Sequence, residues 1–82
     1  MKVPMRIRTV RVVDAQALYV GIGKAIRSAR ESRRMSQGQV AVALGMTRAN
    51  VSNLEAGRSR VLLEHVYNVA LLLDVPIRSL LP

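Results

Sequence analysis

Apolar residues recur at helical spacing along most of the chain. Ile22, Ile26 and Ala29 fall on one stripe, Val40, Ala41 and Leu44 on a second, and Val51 and Leu54 on a third. A fourth stripe, Leu62, Val66, Val69, Ala70 and Leu73, precedes a short apolar tail from Ile77 to Leu81. The residues between the stripes predict where each helix starts and stops. Asp14 is an N-cap for a helix running to about Arg34; Gly21 and Gly23 weaken its early part, so its secure portion begins near Ile22, with Lys24, Arg27 and Arg34 facing out. Ser36 opens the next helix, with Gln39 as the reciprocal partner of a capping box, and Gly45 ends it. Thr47 caps a third helix that stops at Gly57, and Gly57 to Val61 form a basic loop. A fourth helix spans roughly Leu62 to Leu73, and Pro76 suits the first turn of a fifth, Ile77 to Leu81.

This pattern makes residues 14–82 one all-α domain of five helices. Residues 1–13, MKVPMRIRTVRVV, differ: their partial alternation and β-branched content suggest a strand, with Pro4 confining any pairing to the residues after it. A lone strand has no partner in a helical chain. The segment is therefore either a basic arm or a strand paired with its copy in a dimer.

Only Gly45, Met46 and Thr47 separate the second and third helices, which forces them to cross steeply instead of stacking antiparallel. Ala41 is small where the third helix passes over the second, Gly45 accepts a positive φ, and Val51 and Leu54 plug the angle between them. That spacing meets the needs of a helix-turn-helix spanning roughly Gln37 to Ala56.

Composition narrows the partner. At 82 residues there is room for one small domain, and with no Phe or Trp its core must be built from Val, Leu, Ile, Ala and Met. Thirteen basic side chains, eleven of them Arg, face five acids, and the resulting +8 predicts attraction to a polyanion: nucleic acid, with an anionic membrane surface as the rival. Lys2, Arg6, Arg8 and Arg11 place half of that excess in residues 1–13, where there is no acid.

The chemistry of catalysis is missing. There is no cysteine, so no disulfide framework or thiolate site, as fits a reducing cytosol. His65 stands without clustered carboxylates, which argues against a metal site; the scattered acids and one His make no acid/base pair or activated nucleophile. An enzyme and a cofactor are therefore not expected. No apolar run approaches a membrane span, and no signal-peptide core follows the basic start, so a cytoplasmic protein is expected.

Three segments, IGKAIRSARESRRMSQGQVA, GMTRANVSNLEAGR and LDVPIRSLL, together resemble the Cro/C1-type (Xre) helix-turn-helix family of phage repressors and bacterial regulators, over about Ile22 to Leu81. The resemblance implies a lambda-repressor-like domain, of prokaryotic or phage origin, that binds double-stranded DNA and sits on the nucleoid when bound. By position it implies that Gln37 contacts a phosphate. It places Arg48, Ala49, Asn50 and Asn53 in the major groove and sets Arg58 and Arg60 beside phosphates, with Thr47 and Ser52 in the same role. It also implies that Arg30 and Glu55 form a partly buried ion pair between the first and third helices. The residue chemistry suits these roles: Arg48 can donate twice to guanine, Asn50 or Asn53 can pair with adenine, and Ala49 can touch a thymine methyl. The helix 2 N-terminus adds free amides for a phosphate.

The sequence also departs from the family's pattern. Asp74 stands where a glycine is common, and Val42 and Ala43 occupy usually polar positions. Leu71 and Leu72 project where charged or small residues are usual, so with Ile77, Leu80 and Leu81 they mark a candidate homodimer surface. Three functional classes are open. The first is a dimeric repressor or autoregulator reading an inverted-repeat operator. The second is an antitoxin that binds both its operator and a toxin. The third is a protein-interaction module or membrane-surface peptide reusing the fold. Arg27, Arg33 and Arg34 have a plainer reading as a solvated face.

Overall fold

Asp14 opens the first helix. Its carboxylate accepts from the amides of Gln16 and Ala17 at 3.0 and 3.3 Å, and α1 then runs through Ala15–Ser32. The helix includes Gly21 and Gly23 without a break, so its early part is firmer than glycine propensity alone suggests. The structure, a computed structural model, describes residues 11–82. Ten of the thirteen residues expected as an arm or strand, 1–10, lie outside the described residues; residues 11–13 have no regular structure, and Val12 and Val13 are exposed.

Three more α-helices come next: α2, Gln37–Leu44; α3, Arg48–Ala56; and α4, Leu63–Leu73. Ser36 and Gln39 make a full capping box at the start of α2, with Ser36 Oγ accepting from the Gln39 amide at 3.0 Å and Gln39 Oε1 accepting from the Ser36 amide at 2.8 Å. Thr47 Oγ1 caps α3 by accepting from the Asn50 amide at 3.0 Å. Leu62, expected on the buried stripe of α4, is instead the residue before its first turn and is exposed.

The expected fifth α-helix is a 3-10 turn, Ile77–Leu80. Pro76 enters it in an extended conformation, and its carbonyl accepts from both the Ser79 amide (2.9 Å) and the Ser79 hydroxyl (2.7 Å). Those i→i+3 bonds, in a segment of four residues, tighten the chain beyond α-helical pitch.

The four helices α1 to α4 end in the same way. A residue in the left-handed conformation turns the chain, and the next amide bonds back to a carbonyl five residues earlier: Met35 to Arg30, Met46 to Ala41, Arg58 to Asn53, Val75 to Ala70. Gly45 (φ 66°) and Gly57 (φ 70°) take that conformation freely, but Arg34 (φ 56°) and Asp74 (φ 55°) carry a Cβ that opposes it. This turn at Arg34 is why α1 stops at Ser32, short of Arg34. The Arg33 guanidinium donates to the Asp74 backbone carbonyl at 3.0 Å, tying the end of α1 to the end of α4. Arg34→Gly and Asp74→Gly should each raise stability by about 0.5–1 kcal/mol, with Arg34→Gly the larger because Asp tolerates the left-handed region better. Urea midpoints of the two variants check the order.

One core gathers Ile22 and Ile26 of α1, Leu54 of α3, Val66, Val69, Ala70 and Leu73 of α4, and Leu80. A second, smaller cluster of Val40, Ala41 and Val51 fills the angle between α2 and α3, with Leu44, Met46 and Leu72 packed around it. Leu80 was expected on a dimer surface, and that expectation needs correction. It is 1% exposed, because the 3-10 turn folds it between α1 and α4 to close the domain's own core. Leu72 and Ile77 are half-buried against the core and belong partly to it.

Candidate nucleic-acid interface

The N-termini of α2 and α3 lie beside one another, and the side chains there are polar or small. Gln37, Arg48, Ala49 and Ser52 line one open cleft, which brings the first residue of α2 to the outward face of the first turn of α3. Arg48, Ala49 and Asn50 are all exposed. Ser36 and Thr47 each satisfy the third amide of their helix, leaving the first two amides of α2 and of α3 free for an anion. Each helix dipole adds positive potential at its N-terminus.

A second depression lies on the other side of α3, lined by Met46, Asn50, Asn53, Leu54, Ser59, Arg60 and His65. It joins α3 to the basic loop. Arg58 folds back across α3, its Nε donating to Asn53 Oδ1 at 3.1 Å and its Nη2 reaching Ser52 Oγ at 3.5 Å. Arg58 therefore braces Asn53 and Ser52, a role its position in the sequence did not announce. Because a guanidinium only donates, the contact fixes the Asn53 oxygen toward Arg58.

Beneath this surface three helices meet at one carboxylate. Arg30 of α1 donates to Glu55 of α3 twice, from Nε to Oε2 at 2.6 Å and from Nη2 to Oε1 at 2.9 Å. Its Nη1 donates to the Met35 carbonyl at 2.8 Å. Gln37 of α2 donates from Nε2 to Glu55 Oε1 at 3.0 Å. The side chains of Arg30 and Glu55 are 10% and 3% exposed, so the pair is buried and hydrogen-bonded, unlike the open Arg27–Glu31 pair at 64% and 55%. The hydrogen bond to Glu55 raises the Arg30 pKa above its already high ordinary value, outweighing desolvation. The guanidinium therefore keeps its charge across the working pH range.

A helix-turn-helix family model matches residues 26–80. The chain belongs to the Cro/C1-type helix-turn-helix family. It is 39% identical, over 61 residues and 73% of its length, to a protein of Methanocella arvoryzae described as an HTH-type transcriptional regulatory protein, and it spans 18% of that relative's length. In structure it is similar to the restriction-modification controller protein C.AhdI from Aeromonas hydrophila, with a TM-score of 0.71 and 31% identity over 76% of this chain and 94% of that one. It is also similar to part of the hydroxypropylphosphonic acid epoxidase of S. wedmorenis: TM-score 0.75, 25% identity, 82% of this chain but 36% of the enzyme.

Within this Cro/C1-type fold, Arg48, Ala49 and Asn50 stand on the exposed start of α3, while Asn53 is half-buried and held by Arg58. Arg60 is exposed in the loop and borders the second depression. Thr47 commits its hydroxyl to the α3 cap, so only its remaining lone pair and its hydrogen are left for another partner. Of the surface expected to pair two copies, Leu71 is 77% exposed and Leu81 41%. Sequence reading missed the neighbours of Leu71: Leu63 (64%) and Tyr67 (52%) precede it at four-residue intervals and complete an outward apolar stripe on α4. The signal was present, since α4 carries apolar residues on both faces. Among the described residues, no group of His, Asp or Glu has a metal-binding arrangement, and no helix is long and apolar enough to cross a membrane.

Proposed function

We propose that this chain is a sequence-specific transcription regulator that binds duplex DNA, with α3 in the major groove and the N-terminus of α2 on the phosphate backbone. One observation carries the reading: Arg48, Ala49 and Asn50 are exposed at the start of α3 beside free helix-terminal amides and Gln37. A basic domain with that face offers phosphate donors and base-reading side chains at once. The test is to select binding sites from random duplexes and measure variants by fluorescence anisotropy. Arg48→Ala should cost about 1–3 kcal/mol on the selected site and relax preference at one base pair. Gln37→Met should weaken all sequences alike. If Arg48→Ala keeps the wild-type order of preference among site variants, the reading fails.

The reading extends to a homodimer on an inverted repeat, because one such domain contacts too few base pairs for a specific site. The stripe Leu63, Tyr67 and Leu71 supports this and extends the pairing surface along α4. Leu71→Glu should give helical monomers, since Leu71 contributes little to its own core. Sedimentation at micromolar concentration measures this; a wild-type monomer there removes the dimer. Regulation by binding, without catalysis, completes the proposal.

A further inference from the structure

Glu55 sits near the C-terminal end of α3, away from the residues that face DNA, yet its carboxylate holds Gln37 as well as Arg30. A carboxylate only accepts, so the Gln37 amide must turn its nitrogen, not its oxygen, toward Glu55. One N–H of that nitrogen is thereby used, and the second remains for another acceptor. Gln37 lines the open cleft with Arg48, Ala49 and Ser52, so the amide bridges a buried carboxylate and the surface. A buried ion pair is weak grounds for stability, because packed apolar side chains serve as well or better. A carboxylate at this site does something apolar side chains cannot: it sets which way an interface amide points.

We infer that Glu55 is a positioning residue of the DNA interface: held by Arg30, it fixes the Gln37 amide so that the free N–H meets a phosphate beside Arg48 and Ser52. Arg30 has two parts in this. It neutralises a carboxylate that would otherwise repel the phosphate, and its bidentate grip keeps Oε1 in place for Gln37. The amides of Gln37 and Gly38 at the α2 N-terminus supply further donors to the same anion. The inference rests on the DNA-binding reading above and adds to it a residue that touches no DNA.

A binding cycle tests it, using the full chain, a duplex selected by the wild type and a fixed salt concentration. The variants are Gln37→Met, the paired replacement Arg30→Met with Glu55→Met, and all three together. Circular dichroism establishes that each is folded at the temperature used. Gln37→Met and the paired replacement should each weaken binding about ten- to hundredfold, the worth of one hydrogen bond to a charged acceptor. The triple variant should be no weaker than either, because the Gln37 contact is already lost once Glu55 is gone. Losses that multiply, or a folded pair variant with wild-type affinity, overturn the inference while leaving DNA binding intact. A wild type that shows no salt-dependent duplex binding removes the DNA reading itself. A measurement on unaltered protein stands whether or not the variants fold. In nitrogen-edited NMR of the complex, both side-chain amide protons of Gln37 should exchange slowly, one held by Glu55 and one by phosphate. Only one slowed proton, or neither, defeats the proposal.

Discussion

Glu55→Ala is expected to destabilise the domain by about 3–5 kcal/mol, the cost of leaving a buried guanidinium without its counter-charge. Arg30 is 8% exposed and makes three of its hydrogen bonds inside the protein, two of them to Glu55. Losing the carboxylate strands a charge that cannot shed its proton, since the ordinary pKa of an arginine lies far above any working pH. The same change frees Gln37. For a domain of this size such a loss is a large part of the whole stability. Replacing both partners with Met should cost much less, because no charge then stays buried. Chemical denaturation of the two variants measures the difference. If Glu55→Ala moves the midpoint no further than the paired replacement does, the ion pair is solvated in solution, and its burial here does not describe the working protein.

The helix starts were legible because capping is local chemistry: Asp14, Ser36 and Thr47 each accept from amides two or three residues ahead. The turns at Gly45 and Gly57 were legible for the same reason, since a positive φ needs a residue without a Cβ. Tertiary partners set the features that stayed hidden. Leu71 and Leu80 look alike in the sequence, yet one is 77% exposed and the other 1%, because the side of the fold on which the 3-10 turn lands decides it. Arg34 and Asp74 turn their helices without glycine, and the backbone bonds from Met35 to Arg30 and from Val75 to Ala70 hold those conformations. At the site, exposure of Arg48 and Asn50 followed from their place at the start of α3. The bond from Arg58 to Asn53 and the one from Gln37 to Glu55 did not, because each joins side chains whose rotamers depend on a neighbouring helix or loop.

Gly23 shows the gap between local and tertiary reasoning most sharply, and it yields a prediction with a built-in control. On propensity, Gly21 and Gly23 are equal defects two residues apart in α1, and either one replaced with Ala should gain about 0.5–1 kcal/mol. Their surroundings differ. A Cβ at Gly21 would find Pro82 Cγ at 3.7 Å, an ordinary contact, whereas one at Gly23 would lie 2.5 Å from the carbonyl oxygens of both Leu54 and Glu55. Those atoms are backbone near the end of α3, so no rotamer change can make room. Nearby, a Cβ at Gly57 would strike the Val20 backbone at 2.7 Å, so α1 grips the end of α3 at two points. Making space at Gly23 requires moving α1 off α3, which opens the contact among Ile22, Ile26 and Leu54 and stretches the Arg30–Glu55 pair. Overpacking of this kind costs about 3 kcal/mol, against a helix-propensity gain of about 1 kcal/mol. Gly23→Ala should therefore lower stability by about 2 kcal/mol and Gly23→Val by more, while Gly21→Ala raises it. Urea midpoints of the three variants decide the matter. A Gly23→Ala protein as stable as Gly21→Ala would mean that α1 and α3 do not approach this closely, and the orientation of α3 would need another cause.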